Sequence, residues 1–310
     1  MRTLRGWTGL AAEDRGATLA IGNFDGVHLG HRGVIDQART ARPDAPLGVL
    51  TFEPHPREFF RPDTPPFRLM NAQARAHRLE KLGVERLYEL PFDARLSGLT
   101  AEAFAREVLA DGLGVRHVVV GPDFCFGKGR TGTAAALEAF GAEMGFGATI
   151  AEVIEGSGGR VSSTAIRVAL TDGRSRDAAA MLGHWHRIEG PVRHGDKRGR
   201  ELGYPTANMG LEGLHPPRFG VYAVLVEVLS GPHRGSYHGA ASLGIRPMFE
   251  TPQPMIETTI FDFAGDLYDT HLSIGLVEFL RPEIRFDGLP ALVAQMDADC
   301  ARARDILAAL

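Results

Sequence analysis

A change of sequence pattern near residue 182 is the feature that most constrains the fold of this chain. Before that point, short apolar runs that favour buried strands alternate with segments whose apolar residues recur at helical spacing. This alternation predicts an α/β domain with a doubly wound parallel sheet, which binds ligands beyond the carboxyl ends of its strands. The strand-like runs are residues 17–21, 47–52, 86–90, 116–120 and 148–153. The helix-like segments are residues 33–40, 72–82, 101–110, 133–144 and 163–170.

Beyond residue 182 the strand-like runs follow one another directly, with short turns between them. No helical pattern intervenes until residues 289–310. Successive strands with short turns predict an antiparallel β-barrel, here closed by a C-terminal helix. The runs are residues 188–192, 221–228, 237–243, 256–263 and 270–279.

Residues 171–185, which include a short helical segment at residues 177–182, are interpreted as the hinge between the two patterns. His184 and His186 are assigned to this linker rather than to a metal site, because their spacing suggests no third ligand. A chain of 310 residues exceeds one typical domain. We therefore expect two domains, 1–183 and 184–310.

Composition excludes several classes of protein. The formal net charge of −4 provides no general attraction to nucleic acid or to an anionic membrane, so any phosphate site must be local. Cys125 and Cys300 are too few for a disulfide framework or a cysteine-based zinc module. We expect a cytoplasmic protein, because no apolar segment has the length of a signal peptide or of a membrane span. The oligomeric state is not indicated.

The chemistry of the first half centres on residues 22–31, Gly-Asn-Phe-Asp-Gly-Val-His-Leu-Gly-His. Gly22 and Gly26 are expected to permit a sharp turn after the first predicted strand. His28 and His31 stand three apart at a helix start and so share one face, with Gly30 allowing a ligand close to the backbone. Imidazoles beside a helix N-terminus suit a polyphosphate. Surface histidines or a partial metal site are the alternatives from the residues alone.

These ten residues resemble a known signature. They are similar to the His-x-Gly-His signature of the nucleotidyltransferase superfamily. They also resemble the opening motif of the bacterial bifunctional riboflavin kinase/FMN adenylyltransferase (FAD synthetase) family. The resemblance implies a nucleotidyltransferase-like fold, with His28 and His31 stabilising charge at the α-phosphate of ATP. It also implies that nucleotide or substrate is bound by Gly22, Asn23, Phe24, Asp25 and Gly30.

Residues 53–57, Glu-Pro-His-Pro-Arg, follow the second predicted strand. The two prolines predict a stiff, extended rim rather than a helix. His55 and Arg57 are each interpreted as parts of a rigid turn more than as phosphate ligands, although the run resembles the family's Phe-Glu-Pro-His-Pro segment.

Residues 121–130 hold Phe124 and Phe126, which suit either the wall of a planar ligand or core packing. The segment resembles the family's Gly-x-Asp-Phe-x-Phe-Gly loop, which implies that Asp123, Phe124 and Phe126 line the flavin side of the cleft. Residues 127–132 also spell Gly-x-Gly-x-x-Gly. They begin seven residues after Val120 and not in a tight strand-to-helix turn, which argues against a dinucleotide-binding fingerprint.

Residues 162–167 open the next predicted helix with three hydroxyl side chains, Ser162, Ser163 and Thr164, followed by Arg167. Capping of the free N–H groups is an adequate structural explanation for hydroxyls at a helix start. Two features favour a phosphate site: three hydroxyls exceed what capping needs, and the planar fork of arginine suits phosphate oxygens. The run resembles the superfamily's Ser-Ser-Thr-x-x-Arg signature. This implies that its residues hold the triphosphate opposite the histidines and that Arg167 is catalytic. A synthetase of the related fold is disfavoured, because neither a Lys-Met-Ser-Lys-Ser loop nor a basic stripe for tRNA occurs.

The second half carries its own motif at residues 199–208. Thr206 and Asn208 are alternate residues of an extended run and present oxygens on one side, and hard oxygens suit Mg²⁺. An ordinary turn is the alternative. The run resembles the riboflavin kinase signature Gly-x-Pro-Thr-Ala-Asn. The resemblance implies that Gly203, Pro205, Thr206 and Asn208 bind substrate, and that the last two hold Mg²⁺.

The resemblance also implies a general base, which matches Glu257. Two residues depart from the family pattern: Thr259 stands where histidine is usual, and Met248 where threonine is usual. The resemblance implies a bifunctional transferase that phosphorylates riboflavin to FMN with MgATP and then adenylylates FMN to FAD, releasing pyrophosphate. Its implied ligands are riboflavin, FMN, FAD and ATP. An adenylyltransferase with a kinase-inactive flavin-binding module is the alternative, and a flavin-binding regulator with neither activity is another.

Overall fold

The computed structural model describes residues 1–152, 155–156, 159–193, 204, 206–246 and 253–310. By proximity of Cα atoms the chain forms two compact units. The first comprises Met1–Pro65 and Arg75–Val161, and the second comprises Pro66–Ala74 and Ser162–Leu310. The domain boundary expected between residues 183 and 184 stays a prediction, since a compact unit and a family domain need not end at the same residue.

The first unit is built on a parallel sheet. Among the described residues, six strands are hydrogen-bonded in the order β1-β4-β3-β2-β5-β8, and every neighbouring pair is parallel. The pairs β6–β7 and β9–β10 are short antiparallel hairpins. The strands are β1 (Arg2–Arg5), β2 (Thr18–Ile21), β3 (Leu47–Glu53), β4 (Arg86–Pro91), β5 (His117–Val120), β6 (Cys125–Phe126), β7 (Gly132–Thr133), β8 (Gly147–Ile150), β9 (Glu155–Gly156) and β10 (Gly159–Arg160).

The central strands are largely apolar because both faces of the sheet are covered. All four residues of β2 are buried, and Leu50, Val118 and Val120 on neighbouring strands are no more than 1% exposed. The sequence missed β1, an edge strand whose residues are mostly exposed and therefore show no apolar run.

The helices of this region are α1 (Leu29–Ala41), α2 (Pro56–Phe60), α3 (Ala72–Lys81), α4 (Ala94–Gly98), α5 (Ala101–Ala103, continued by a π-helix over Phe104–Leu113) and α6 (Ala134–Met144). The extended rim predicted at residues 53–57 is wrong, because α2 begins within it. Pro56 occupies the first helical position, where its missing N–H costs nothing. His55 caps the helix, its Nδ1 accepting from the backbone N–H of Arg57 at 3.0 Å.

The second unit is built on an antiparallel sheet. In the part of the chain that the structure describes, six strands follow the order β11-β16-β13-β14-β15-β12. The two edge strands approach at a single bridge, where the N–H of Arg193 donates to Asn208 O at 2.8 Å, so the sheet curls towards a barrel. The elements are α7 (Ser163–Thr171), α8 (Ser175–Leu182), β11 (His186–Pro191), β12 (Thr206–Gly210), β13 (Gly220–Val228), β14 (Gly235–Arg246), β15 (Gln253–Ile260), β16 (His271–Arg281) and α9 (Leu289–Ala308).

Alternation along β13 separates the two faces of this sheet. Tyr222, Val224 and Val226 belong to the inner cluster, whereas Val221 and Ala223 pack in a second cluster that includes residues of α9. The predicted C-terminal helix therefore covers the outer face of the curled sheet.

The short helix predicted at residues 177–182 is confirmed as α8, Ser175–Leu182. The assignment of His186 to the linker is wrong, because His186 is the first residue of β11 and only 3% exposed. Among the described residues, no helix combines the length and the apolar character needed to cross a bilayer.

Candidate active sites

The first unit contains a cavity of about 950 Å³ at the carboxyl ends of its parallel strands. Its lining includes Gly22 and Asn23 after β2, Phe52 at the end of β3, Gly121 after β5 and Ala151 after β8. This is the edge at which the strand pattern predicted a ligand site. Of the residues assigned to this site from the sequence, the lining also includes Phe24, His28, Gly30, His31, Asp123, Phe124 and Phe126.

The turn after β2 adopts left-handed backbone at three positions. Gly26 has φ +90°, as expected of a glycine, but Phe24 (φ +51°) and Val27 (φ +42°) share this region although they carry a Cβ. Such a conformation costs roughly 1–2 kcal/mol for a residue with a side chain, so the surrounding packing must hold it. Gly22, by contrast, has no positive φ, and the freedom predicted for it is not used.

His28 and His31 form a stacked pair at the start of α1. Their ring centroids are 3.6 Å apart and the planes differ by 14°. His28 is the N-cap residue, and its Nδ1 accepts from the backbone N–H of His31 at 3.3 Å. A neutral His28 ring therefore keeps its proton on Nε2, which can donate to a ligand.

The surroundings of His31 keep its ring neutral. Withdrawal from water, and secondarily the positive charge of a protonated His28, lower the pKa of His31 well below its ordinary value. The ring lies against buried Phe24, with centroids 5.2 Å apart. In the described part of the chain its buried Nδ1 has no hydrogen-bond partner. At most one of the two histidine rings therefore carries a positive charge near neutral pH.

Gly30 makes room for the histidine ring rather than mainly for a ligand. A Cβ at this position would lie 3.2 Å from both Cε1 and Nδ1 of His28. That separation is tighter than ordinary van der Waals contact, so a side chain at residue 30 would press on the ring that caps the helix.

Phe124 and Phe126 lie at the cavity, and Phe126 also packs against the core. Both line the cavity, with ring centroids 5.5 Å apart and planes 16° apart. Phe126 is also buried and contacts Phe104. A second aromatic group in the lining, Phe52, Phe60 and Phe92, was missed from the sequence, although the Phe-Phe pair that ends α2 was its visible signal.

The glycines of the Gly-x-Gly-x-x-Gly run have packing roles. They lie in and beside the β6–β7 hairpin, with Gly127 before a short 3₁₀ helix at Lys128–Arg130, and not in a tight turn from a strand of the parallel sheet to its helix. A Cβ at Gly127 would come within 2.5 Å of Ala101 N, and one at Gly132 within 2.8 Å of the Phe126 ring. The structure thus agrees with the rejection of a dinucleotide fingerprint.

Basic side chains also reach this cavity. His55, Arg57, Arg61 and Arg130 are part of its lining. His55 caps α2 through its Nδ1 and also lies at the cavity. Its interpretation as a structural residue more than a phosphate ligand stays a prediction.

The second signature begins α7, which belongs to the second compact unit. Ser162 is the N-cap, its Oγ accepting from the N–H of Ala165 at 3.2 Å, while Ser163 and Thr164 form the first turn. Arg167 lies one turn further on, and its Nε donates to the backbone oxygen of Phe67 at 2.5 Å. The convergence of this helix start with His28 and His31 stays a prediction.

A second cavity, of about 420 Å³, lies on the outer face of the curled sheet in the second unit. Strand register places Asn208, Glu257 and Ser242 side by side on β12, β15 and β14, with Thr206 directly opposite Thr259 in the adjacent row. Residues opposite one another share a face of the sheet. The lining includes Thr206, Ser242, Glu257, Thr259 and Arg281 from the strands, and Leu292, Met296, Asp299 and Cys300 from α9.

An ion pair fastens α9 to this cavity, and sequence reasoning did not find it. Arg281 at the end of β16 holds buried Asp299, with Nη2 to Oδ2 at 2.7 Å and Nε to Oδ2 at 2.9 Å. Gln295 donates to Oδ1 of the same carboxylate at 2.9 Å. Burial, together with nearby Asp299, raises the pKa of the Cys300 thiol to about 11, so the group stays protonated.

Two oxygen-bearing side chains of β12 suit a hard cation: Thr206, which lines this cavity, and Asn208, which is not part of its lining. Asn208 is 8% exposed, and its Nδ2 donates to Thr206 O at 3.4 Å, which leaves the amide oxygen as its acceptor. Thr206 adds a hydroxyl oxygen, and Mg²⁺ favours such oxygens together with phosphates and water. Among the described residues, no group of three or more His, Cys, Asp or Glu side chains is arranged to hold a metal by itself. Gly203, Pro205 and Met248 lie outside the described residues.

The fold and the two sites define a class: a transferase that joins a nucleotidyltransferase-like parallel sheet to an antiparallel kinase barrel. Residues 10–165 match the family model for FAD synthetase, and residues 182–307 match the model for riboflavin kinase. The chain belongs to the bifunctional riboflavin kinase/FMN adenylyltransferase family. The resemblance found in the sequence is thereby confirmed.

Relatives cover nearly the whole chain. It is 42% identical to the bifunctional riboflavin kinase/FMN adenylyltransferase of Pseudomonas fluorescens, over 99% of this chain and 98% of that protein. The Escherichia coli K12 protein of the same name is 39% identical, over 98% and 97%. A crystal structure described as a macrolide-efflux protein from Streptococcus pneumoniae has a TM-score of 0.82 at 31% identity, covering 96% of this chain and 97% of that one.

Proposed function

We propose that this chain makes FAD in two steps, with ATP as the donor in both. The second unit phosphorylates riboflavin, and the site of the first unit joins the resulting FMN to AMP. The observation that supports this most is that each family match carries its own cavity. The first is lined by Gly22, Asn23, His28 and His31, and the second by Thr206 and Glu257. Both activities consume ATP, which favours the cytoplasm as the place of action. Neither requires a nucleic acid or a membrane.

In the adenylyl transfer, a phosphate oxygen of FMN attacks the α-phosphorus of ATP. A new P–O bond forms, the bond from the α-phosphorus to the bridging oxygen breaks, and pyrophosphate leaves with that electron pair. FMN phosphate is already anionic and needs no base, so catalysis rests on alignment and stabilisation of charge. His28 donates from Nε2 to the reacting phosphate, beside neutral His31.

The binding roles in this first reaction follow from the two signatures. Ser163, Thr164 and Arg167 hold the departing pyrophosphate, and Ser162 fixes the start of their helix. Phe124 and Phe126 take the flavin ring beside Asp123. The turn from Gly22 to Asp25, including Asn23 and Phe24, shapes the nucleotide side.

In the kinase reaction, Glu257 accepts the proton of the ribityl hydroxyl. That oxygen attacks the γ-phosphorus of ATP, and ADP leaves with the electrons of the broken bond. Thr206 and Asn208 are the residues that would hold Mg²⁺. When bound, this ion offsets the negative charge of the phosphates. The side-by-side register of Asn208 and Glu257 supports a single site for metal and base.

The test of this proposal is a product assay. The purified protein is incubated with riboflavin and MgATP, and the flavins are separated by chromatography. FAD is the expected product. Formation of FAD only when FMN is supplied would favour the adenylyltransferase with an inactive kinase module, which Thr259 had suggested.

A double substitution tests the histidine pair. His28→Ala with His31→Ala is expected to stop synthesis at FMN, because removing donors aimed at a developing charge typically costs on the order of 10²–10³ in rate. Riboflavin phosphorylation in the same preparation is the control for folding of the second unit. FAD formation at the normal rate would remove both histidines from the mechanism.

A further inference from the structure

Thr259 of β15 lies in the lining of the second cavity, directly opposite Thr206 of β12. Residues opposite one another on antiparallel strands share a face of the sheet, with Cβ atoms about 4.5–5.5 Å apart. Glu257, two residues before Thr259, shares this face because side chains alternate along a strand. All three residues line the cavity and belong to the second compact unit. The two threonine hydroxyls therefore lie side by side, on the face that carries the proposed base.

The alternation of β15 fixes the direction of the Thr259 side chain. Ile256 and Ile260 belong to the inner cluster, and Thr258, which shares their face, is only 1% exposed. Thr259 points to the opposite face and is half-buried. A ligand in the cavity can thus reach the hydroxyl of Thr259, whereas the hydroxyl of Thr258 is enclosed.

The neighbours of Thr259 leave its hydroxyl available. Its partner on β14 is Ala240, which also lines the cavity and has no polar side-chain atom. Among the described residues, no hydrogen bond engages the hydroxyl of Thr259 or that of Thr206. Each hydroxyl has one donor hydrogen and can accept as well, so both can bind a polar ligand in the cavity.

The charges of this cavity favour uncharged donors for a polyphosphate. Among its described lining residues, the carboxylates are those of Glu257, Glu283 and Asp299, and the guanidinium is that of Arg281. Arg281 is already bonded to Asp299 through Nε and Nη2. A hydroxyl adds no negative charge, and its hydrogen bond to an ionised phosphate oxygen is roughly twice as strong as one between neutral groups.

We propose that Thr259 binds ATP during riboflavin phosphorylation, donating from Oγ1 to a phosphate oxygen beside Thr206. This inference deepens the proposed kinase reaction and rests on it. Residue 259 is a position at which the chain departs from the family pattern, with threonine in place of histidine. Both side chains can donate a hydrogen bond, so the departure keeps a donor in the cavity and does not imply an inactive kinase.

Removal of a single hydroxyl tests this role. Thr259→Val keeps the β-branched shape but has no O–H group, whereas Thr259→Ser keeps the O–H group. In riboflavin phosphorylation, the KM for MgATP is expected to rise about tenfold in Thr259→Val, because a hydrogen bond to a charged group is lost. The KM for riboflavin should stay near normal, and Thr259→Ser should resemble the unsubstituted protein.

Thr258→Val is the matched control on the same strand. It removes a buried hydroxyl from the other face of the sheet, where its Oγ1 has no hydrogen-bond partner among the described residues. Exchange of an unpaired buried hydroxyl for a methyl group of the same shape should leave the KM for MgATP unchanged. The KM for MgATP in FMN adenylylation, measured on each preparation, reports the other ATP site and should not change in either variant.

A normal KM for MgATP in Thr259→Val overturns the role of Thr259. An equal rise in Thr258→Val overturns it as well, because the effect would then belong to the strand, and so does an equal rise in Thr259→Ser, which keeps the hydroxyl. In each of these cases the unsubstituted protein still phosphorylates riboflavin. If the unsubstituted protein forms no FMN from riboflavin and MgATP, the proposed kinase reaction is wrong, and the inference fails with it.

Discussion

At the scale of single residues, the candidate site of the first unit has a close approach between residue 30 and the His28 ring. The His28 ring folds back over the first turn of α1, where its Nδ1 accepts from the N–H of His31 and its face stacks on the His31 ring. Gly30 lies beneath that ring. The small size of Gly30 therefore leaves room for the His28 ring, and with it for the helix cap, the tautomer of His28 and the ring stack.

Gly30→Ala is expected to separate stability from activity. Alanine favours a helix over glycine by about 1 kcal/mol, which opposes the cost of crowding, so the melting temperature should change little. The added Cβ displaces the His28 ring, and FMN adenylylation should fall at least tenfold. Thermal melting and the rate of FAD formation from FMN measure the two effects.

The matched control is a glycine in another helix whose Cβ position is open. Gly98, within α4, has open space around its Cβ position and a normal φ. Gly98→Ala should leave adenylylation intact. A normal rate in Gly30→Ala would contradict the steric argument.

At the scale of elements, β11 begins with a histidine that stays neutral inside the second unit. Burial, with smaller contributions from His184 and His215, lowers the pKa of His186 to about 3. The unfolded chain takes up this proton near pH 6.5. Between these two values the unfolded state binds more protons than the folded state, so stability falls as the pH falls.

His186→Gln should weaken this acid sensitivity. From pH 7 to pH 5 the free energy of unfolding of the original protein should drop by about 2 kcal/mol more than that of the variant. Urea unfolding at both pH values measures the difference, and any packing loss caused by the glutamine cancels because each protein is compared with itself. Parallel pH dependences would show that His186 is not the group responsible.

The helices and strands also show how much of the secondary structure hydrophobic periodicity can predict. The central strands and α1, α3, α6, α7 and α9 were predicted because they are periodic and long enough to show their apolar faces. The sequence missed β1, whose edge position leaves it polar, and also α2, where the cap formed by His55 outweighs the extended preference of the prolines. Those outcomes depend on side-chain hydrogen bonds and on neighbouring strands, which no local pattern contains.

At the scale of the whole molecule, each of the two compact units carries its own cavity, and the residues lining each cavity belong to one unit. Glu257 lies in the second unit, on a strand of a continuous antiparallel sheet. The proposed base and the proposed adenylyl-transfer histidines therefore lie in different units.

Glu257→Gln should therefore abolish one reaction and spare the other. Riboflavin phosphorylation is expected to fall about 10²–10⁴-fold, the usual contribution of a general base, whereas FMN-to-FAD conversion should stay within about twofold of normal. Both rates are measured on one preparation. Glu212→Gln, at an exposed carboxylate paired with Arg193, is the matched control. Loss of both reactions in Glu257→Gln would contradict the independence of the two sites.

The sequence by itself determined the change from a parallel to an antiparallel architecture and the identity of the signature residues. Periodicity and motif spacing depend only on near neighbours, so they can be read along the chain. Only the tertiary structure decided that Phe24 takes the left-handed turn, that His28 uses Nδ1 as a cap, and that Thr259 lies opposite Thr206. These features arise from strand register and from packing between residues far apart in sequence, where sterics and hydrogen bonding act through space.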